Sequence, residues 1–508
     1  MKIISTSLAL GAVSTAFCLS AQAQAPDSAV EQAVEQIVVV ANRVPVPTKR
    51  VGLSISVLDV ADLQDHGNIA LKDILRQTAA VGGSNYGGAG AISQIRIRGE
   101  EGFRTLTLFD GMRLSDNSAP QVGTPVEQLL SSGIGRVEIL RGPQGLSYGA
   151  DAGGVVSISS IAASPGLKFD IDGQAGSFGT NQIAASVSAA NETADFYLTA
   201  TDFQSDGYNV RVSDTVIADK DGYENQTYHA RLGVNVSENL RLELVHREVA
   251  GTSQYDGCYS GTTVYDCEAI YDLDATRLAA TYTTESFSHS LAYSTSDTDR
   301  EDLALGVLAF GSAGELERWE YVGSAKQLPG FDLVFGVDLE QEKNGNLARD
   351  NEGYYVEALS DFSDSLFFTA GVRQDRNDDF GNHTSYRISA AYLLALDAGE
   401  LKLKTSYGTG FRSPSLYEID YNRGAFAFPP ASLLTLSEEA SVGFEYGVEY
   451  QANAGLYLEL VIFDQDVEDA IYFDLAGFSG YLQDIGASNS SGVEMIANYP
   501  LSTQLSLS

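Results

Sequence analysis

Two cysteines stand nine residues apart in a stretch rich in glycine, tyrosine and aspartate. Cys258 and Cys267 are the cysteines that remain once an N-terminal segment holding Cys18 is set aside. In an oxidising compartment such a pair favours a disulfide that closes the loop between them. A metal-binding pair of thiolates is the alternative, but no histidine stands nearby to complete a zinc site. The spacing therefore predicts a disulfide.

Carboxylates cluster around the same loop. Carboxylate oxygens are the ligands that Ca²⁺ prefers, so a calcium site is one interpretation, and a solvated acidic loop is the other. The spacing does not match an EF-hand loop. The residues concerned are Asp256, Asp266, Asp272 and Asp274.

The glycine-rich stretch Gly142–Gly154 could in principle cradle a phosphate. It lacks the lysine and the strand-then-helix context of a phosphate-binding loop. Catalysis would need a positioned base, and none of the five histidines in the chain has an evident nucleophile partner. The sequence predicts a protein that is not an enzyme and requires no cofactor.

Charge and length narrow the class further. A chain of 508 residues is expected to form two or more domains. Its 31 basic and 68 acidic residues give a net charge of −37, and without a basic stripe nucleic acid is excluded as a partner. The acidity serves solubility or, alternatively, an acidic lumen and acidic loops that attract cations.

The N-terminus has the pattern of an export signal. Lys2 precedes an apolar run from Ile3 to Leu19, and small residues follow with two A-x-A sites, Ala21–Ala23 and Ala23–Ala25. The run is too short for a membrane anchor. Residues 1–25 are therefore predicted to be a cleaved secretory signal peptide.

The elements that would position any site are strands. No later segment has 18 consecutive apolar residues, which excludes transmembrane helices. Leu401 and Leu403 alternate with Lys402 and Lys404, and segments at 230–237 and 240–247 alternate in the same way. Alternation places one set of side chains on each face of a strand. About 16 such segments in series are typical of a barrel that spans a membrane.

Connections of two lengths alternate along this part of the chain. Tight periplasmic turns and longer external loops are the signature of an up-and-down outer-membrane barrel. The short turns are predicted at 237–239, 284–286, 328–330, 361–365 and 397–400. The longer irregular loops are predicted near 205–225, 250–275, 298–314, 341–352, 376–384, 411–437 and 464–490.

Three motifs add a family resemblance. They are RVEILRGPQGLSYGADAGGVVSISS at Arg136–Ser160, IRIRG at Ile95–Gly99 and LFDGMRL at Leu108–Leu114. Together they resemble the plug domain of TonB-dependent outer-membrane receptors, and the resemblance covers nearly the whole chain. It implies an all-β transmembrane barrel of the 22-stranded type at 161–508, with an α+β plug domain at 44–160. It also implies a location in the outer membrane of a Gram-negative cell.

The strand count leads to a further expectation. Counting from Lys168 reaches a seventeenth strand near Gln504, whereas the family architecture has 22 strands. We therefore expect a chain truncated at its C-terminus, with the last strands missing.

The segment at 26–43 carries a second family signature. An acidic residue followed by a β-branched run resembles the TonB box, and an exposed extended segment can add to the edge of a partner sheet. A first strand of the plug is the alternative. The predicted box consists of Glu35, Gln36, Ile37, Val38, Val39, Val40 and Ala41. The resemblance implies TonB as a partner, with ExbB and ExbD.

Within the family, inward charges tie the plug to the barrel. The matching residues are Arg98 and Arg141 in the plug and Glu445 and Glu494 in the barrel. Strand parity supports this independently, because the apolar neighbours of both glutamates fall on the opposite face. The count places the glutamates on the fourteenth and sixteenth strands, close together in the wall.

The resemblance implies import of a scarce, bulky solute, chiefly a ferric siderophore or another iron complex. Vitamin B12 (cobalamin) uptake and a passive porin are the alternatives, although porins lack a plug and a box. Outer-membrane lipid is the implied surroundings. The plug apex is expected at 84–91 and 115–123, with Tyr86, Asp116 and Asn117 as candidate cargo contacts.

Overall fold

A computed structural model gives the fold of most of the chain. It describes residues 36–65, 70–211, 213, 219–328, 330–484, 486–502 and 505–507. The predicted signal peptide and Glu35 lie outside the described residues. From Ile37 onward the described residues form one compact unit.

The first part of this unit is a small α+β domain, the plug. Its main sheet has the strand order β3-β8-β9-β6-β7, with β6 and β9 parallel and the other pairs antiparallel, and β4 and β5 form a separate hairpin. The strands are β1 Ile37–Val38, β2 Val46–Pro47, β3 Ile55–Asp59, β4 Val81–Asn85, β5 Ser93–Ile97, β6 Thr105–Phe109, β7 Met112–Arg113, β8 Ile134–Leu140 and β9 Gly154–Ser160. The helices are α1 Val60–Asp65, α2 Leu71–Leu75 and α3 Gly145–Tyr148.

The plug folds around β-branched strands and one short amphipathic helix. Val137 and Ile139 of β8 pair with Ile158 and Val156 of β9, and all four side chains are buried. Such residues favour strands because they pack well on a pleated surface. On α2, Leu71, Ile74 and Leu75 recur at the spacing of one helix face and join the same core.

The second part is one antiparallel sheet of seventeen strands, each paired with its sequence neighbour in the sheet. Its first nine strands are β10 Gly166–Ala175, β11 Asn181–Ala190, β12 Ala194–Tyr208, β13 Asp221–Asn235, β14 Leu240–Tyr255, β17 Cys267–Thr283, β18 Phe287–Ala304, β19 Val307–Leu328 and β20 Phe331–Asn344. The other eight are β21 Leu347–Asp361, β22 Leu366–Asn377, β23 Gly381–Leu396, β24 Gly399–Arg412, β25 Glu439–Ala452, β26 Tyr457–Glu468, β29 Ala487–Ser502 and β30 Leu505–Leu507. Small hairpins lie in two loops, β15 Cys258–Tyr259 with β16 Thr263–Val264 and β27 Ile471–Phe473 with β28 Tyr481–Gln483, and helix α4 is Leu416–Arg423.

The alternation of apolar and polar residues that the sequence predicts corresponds to alternating exposed and buried side chains in the barrel wall. On β24, Leu403 is 40% exposed while Lys404 is 4% exposed. Apolar side chains therefore face outward and polar ones face the plug, as a membrane barrel requires. Glu445 lies on the fourteenth strand of the sheet and Glu494 on the sixteenth, as the count predicted.

The two ends of the barrel differ in their connections. The turns at 191–193, 236–239, 284–286, 362–365, 397–398 and 453–456 share one end, which we call the short-turn end. The described residues of the longer connections lie at the opposite, long-loop end: 209–211, 213, 219–220, 256–266, 413–438, 469–484 and 486. Among the described residues, no helix is both long and apolar enough to cross a membrane.

Three predicted loops were wrong. The irregular loops expected near 298–314, 341–352 and 376–384 are extended strands that meet in tight turns at 305–306, 345–346 and 378–380. Polar residues led to the error, because strands that continue beyond a membrane lose the apolar face that identifies them. Leu305 and Gly306, both at positive φ, close the first of these hairpins.

Candidate functional site

The four predicted latch residues meet at the boundary between the plug and the barrel. Arg98 follows β5, and its guanidinium lies 2.7 Å from a carboxylate oxygen of Glu445 and 2.7 Å from one of Glu494. Arg141, after β8, pairs with the other oxygen of Glu494. All four side chains are buried, so removing one partner would leave a buried charge uncompensated at a cost of roughly 3–5 kcal/mol.

Two further residues extend this cluster, and sequence reasoning missed them. Lys404 Nζ lies 2.7 Å from Glu459 Oε1, and Glu459 also approaches Arg141 at 3.8 Å. Their inward parity on β24 and β26 was the available signal. We call the six residues the ion network; its members are Arg98, Arg141, Lys404, Glu445, Glu459 and Glu494.

A second buried cluster fixes the chain just after the predicted box. Arg43 Nη1 lies 3.1 Å from Asp338 Oδ2, and Arg43 Nη2 pairs with Glu320. Arg373 Nη1 reaches the same Asp338 oxygen at 2.6 Å. Nothing in the local sequence identified Arg43, because its carboxylate partners lie about 300 residues further along the chain.

Residues 37–41 of the predicted TonB box are docked against the plug and the barrel. The backbone amides of Val39 and Val40 each donate to Glu138 Oε2 at 3.0 Å. Tyr148 donates its hydroxyl to the carbonyl of Val40, and Arg387 of the barrel donates to the carbonyl of Ala41. Val38, Val40 and Ala41 are buried, whereas Ile37 and Val39 are about half exposed.

This geometry corrects one expectation. A freely exposed strand was predicted, but Ile37 and Val38 pair with Pro47 and Val46, which is closer to the alternative of a first plug strand. The assignment of the segment as a TonB box stays a prediction.

The glycine-rich stretch is packed against the barrel wall. A Cβ on Gly145 would lie 2.6 Å from Ser385 Oγ and 2.8 Å from the carbonyl of Thr409, so only glycine fits there. The stretch therefore serves close packing.

The same stretch also matches the G-x-S-x-G pattern of nucleophile elbows, which sequence reasoning overlooked. Ser147 lies in α3, is buried, and donates its hydroxyl to the carbonyl of Ala41. No histidine bonds this serine within the described residues. The match carries no catalytic arrangement.

The disulfide region separates the predicted calcium ligands. Cys258 and Cys267 are joined by a disulfide. Asp274 lies instead with His246 and Glu248, and their potential ligand atoms fall within 4.8 Å of one another. Among the described residues this is the one such group, so the four predicted aspartates do not converge on a common point.

A cavity of about 470 Å³ lies at the long-loop end between the plug and the wall, and we call it the apical cavity. Asp116 and Glu127 of the plug line it, together with Arg300 and Asp302 on the inward face of β18. Phe310 contributes an aromatic face. Sequence reasoning identified Asp116 but missed the other four residues.

The remaining candidate contacts do not line this cavity. Tyr86 is 72% exposed in the turn between β4 and β5. Asn117 is buried and bonds the backbone carbonyl of Glu315, while its own carbonyl accepts from Asn344. Asn117 therefore fastens the plug loop to the wall.

Burial shifts the acid–base behaviour of the apical carboxylates. Loss of solvent raises the pKa of Glu127 to about 7. Burial also raises the pKa of Asp116 above its usual value, against the attraction of Arg300 and bonds from Ser118. Such shifts are typical of charges that the protein itself compensates only in part.

A second cavity, of about 740 Å³, opens at the short-turn end. It lies between the chain at 42–50 and the wall, and its charged lining consists of Arg50, Glu285, Lys326, Asp332 and Asp361. The chain that follows the predicted box therefore forms one side of this opening.

Comparison with known families gives two matches that together span most of the chain. Residues 47–156 match the TonB-dependent Receptor Plug Domain, and residues 165–508 match the TonB dependent receptor-like, beta-barrel domain. These ranges compare with the 44–160 and 161–508 predicted from sequence.

Two curated relatives are vitamin B12 transporters named BtuB. The one from Vibrio vulnificus is 26% identical over 471 residues, which are 88% of this chain and 73% of the relative. The one from Photobacterium profundum is 26% identical over 416 residues, 79% of this chain and 66% of the relative. The chain thus spans about two thirds to three quarters of their length.

Solved structures share the fold at low identity. The siderophore receptor PirA from Acinetobacter baumannii superimposes with a TM-score of 0.73 at 17% identity, covering 89% of this chain and 78% of that one. The ferric enterobactin receptor PfeA in complex with BCV-L6 superimposes with a TM-score of 0.73 at 16% identity, and the match covers 90% of this chain and 80% of that one.

Proposed function

The chain belongs to the TonB-dependent receptor family of the outer membrane, and we propose that it imports a bulky metal chelate with energy delivered through TonB. In such barrels the short turns face the periplasm and the long loops face outside. The apical cavity then opens to the exterior, and the segment at 37–41 lies at the periplasmic end.

The observation that carries the proposal is the buried ion network. It joins the plug to strands β25, β26 and β29 of the wall, and Lys404 of β24 pairs with Glu459 within the wall. A plug held by buried ion pairs opens a path only rarely by thermal motion, because each broken pair costs several kcal/mol. Frequent opening therefore requires work from outside the protein, which favours an energy-coupled importer over a passive porin.

The docked segment supports TonB as the source of that work. Val39 and Val40 are held by Glu138 of the plug. A partner that paired with this segment by strand addition would pull directly on β8. We propose TonB as that partner, acting with ExbB and ExbD.

Two cargo classes are candidates. A ferric siderophore is favoured by the fold likeness to PirA and PfeA, which are siderophore receptors. Cobalamin is favoured by the two sequence relatives, which are vitamin B12 transporters.

Uptake of labelled iron siderophores and labelled cyanocobalamin tests the proposal in cells that lack their own receptors. Deleting residues 35–41 should abolish accumulation, whereas a deletion of equal length at 27–33 should preserve it. Collapse of the proton gradient should have the same effect as the first deletion. Accumulation that persists after deletion of 35–41 would contradict the proposal and favour a passive channel.

A further inference from the structure

The charges around the apical cavity are unbalanced. Its lining holds three carboxylates, those of Asp116, Glu127 and Asp302. Among the described residues of the lining, one is basic, Arg300. The lining thus holds three acidic side chains and one basic side chain, in a molecule whose net charge is also negative, at −37.

Arg300, the basic residue of the described lining, already forms an ion pair with Asp116. Arg300 Nη1 lies 3.4 Å from Asp116 Oδ2. Asp116 also accepts from the amide and the hydroxyl of Ser118. Asp116 therefore has both a cation and neutral donors within the protein, which offset part of the cost of burying its charge.

Glu127 and Asp302 lack such compensation. Glu127 Oε2 accepts the backbone amide of Ser93 at 3.1 Å, and Asp302 Oδ1 accepts the hydroxyl of Tyr255 at 3.2 Å. Neither carboxylate forms an ion pair with a basic side chain in the part of the chain that the structure describes. Both have neutral donors only, which stabilise an ionised carboxylate less than a cation does.

The rest of the wall suits an uncharged or cationic group. Phe310 is 38% exposed and presents a ring face, which attracts cations and packs against apolar groups. Thr105 and Thr124 line the same cavity with buried hydroxyls that have no hydrogen-bond partner among the described residues. An anionic ligand would meet two unpaired carboxylates and no free cation in this lining.

We propose that the apical cavity, which we assign to the cargo on the strength of the proposed import function, receives neutral or positively charged chelates and rejects polyanionic ones. Glu127 and Asp302 are the specificity-determining residues. They accept hydrogen bonds from donor groups of the cargo and repel negative charge. Neutral and cationic hydroxamate chelates of iron(III), and corrinoids, belong to the accepted class, and trianionic tris-catecholates do not.

The test measures charge preference without knowing the cargo. A thiol is introduced in the cavity lining as Gln121→Cys. The reference thiol is Asn346→Cys, in the exposed tight turn between β20 and β21. The native Cys258 and Cys267 are paired and do not compete. Purified protein in detergent is labelled with a trimethylammonium and with a sulfonate methanethiosulfonate reagent.

For each cysteine, the labelling rate with the cationic reagent is divided by the rate with the anionic one. This ratio should be about tenfold or more higher at Gln121→Cys than at Asn346→Cys, because charged clefts concentrate counter-ions to this extent. Adding Glu127→Gln and Asp302→Asn should bring the ratio close to that of the reference. Glu301→Gln, one residue along β18 but facing outward, is the matched control and should leave it unchanged. Thermal unfolding verifies that each variant is folded.

A ratio equal to the reference, or one that favours the sulfonate, would overturn the proposal. A trianionic iron tris-catecholate should leave the labelling rate at the cavity unchanged, and protection by it would also overturn the proposal. The experiment involves no TonB. Failure of energised uptake would therefore refute the proposed function without altering the labelling result. Equal labelling ratios would refute the charge preference without altering the uptake result.

Discussion

The ion network and the apical cavity are both built from buried charges between plug and barrel, yet their charges are balanced differently. In the ion network three cations face three carboxylates: Arg98, Arg141 and Lys404 against Glu445, Glu459 and Glu494. Lys404 also contacts Glu449, which pairs with Lys402, and this adjoining pair adds one charge of each sign. In the apical cavity Arg300 faces three carboxylates. A balanced cluster holds two parts of a protein together, whereas an unbalanced one is completed by something that arrives from outside.

The largest loss of stability is expected when one charge is removed from the ion network. Arg98→Gln removes the ion-pair partner of Glu445 and one of the two that Glu494 has, and should destabilise plug docking by roughly 3–5 kcal/mol. Hydrogen exchange at β5 in the purified receptor measures this. Glu445→Gln should loosen the same contact from the barrel side, with faster proteolysis of the plug.

Arg96→Gln is the control, since Arg96 on the same strand pairs with Glu101 near the surface at 32% side-chain exposure. Its cost should fall near 0–1 kcal/mol, as for exposed pairs. Equal effects of the Arg98 and Arg96 variants would show that the network does not hold the plug.

The second effect concerns the docked segment. Glu138→Gln replaces a carboxylate that accepts from Val39 and Val40 by a neutral amide. Loss of two charge-assisted bonds should weaken docking by about 1.5–3 kcal/mol and speed amide exchange at these residues correspondingly. Glu101→Gln, at the surface, should leave this exchange unchanged. Unaltered exchange in Glu138→Gln would mean that other contacts, such as those of Tyr148 and Arg387, hold the segment.

The third effect is a pH dependence specific to the unbalanced region. Burial raises the pKa of Glu127 to about 7 from an ordinary value of 4.5, so the folded state binds the proton more tightly than the unfolded one. Stability at this position is full below pH 4.5 and is lost as pH rises through 7, by roughly 1–3 kcal/mol. The protection factors at 116–127, which compare each exchange rate with the intrinsic rate at the same pH, should therefore fall from pH 5 to pH 8. Glu127→Gln should remove that dependence, and a profile unchanged by the substitution would assign it to another group.

The smallest effect is expected for an ion pair outside both regions. Lys343 Nζ lies 2.6 Å from Glu315 Oε2 on the outward face of the wall. Solvent already screens this pair, so Lys343→Gln should leave the unfolding temperature unchanged within error. A drop comparable with that of Arg98→Gln would remove the distinction between balanced interior pairs and ordinary surface pairs.

Much of the fold was readable from local sequence. Period-two alternation assigns one face of each strand, and the parity of Glu445 and Glu494 followed from their apolar neighbours alone. The same reasoning failed for 298–314, where the strands leave the apolar belt and only their pairing shows that they continue.

The sequence by itself determined the strand pattern, the inward glutamates and the closeness of Cys258 and Cys267, because each depends on neighbours within a few residues. Tertiary structure alone decided that the segment at 37–41 is docked and that Glu127 and Asp302 face one cavity. Apart from Val46 and Pro47, the partners described for that segment lie 98 to 346 residues away in the chain. Contacts of such separation depend on how the plug sits inside the wall, and no local periodicity records that arrangement.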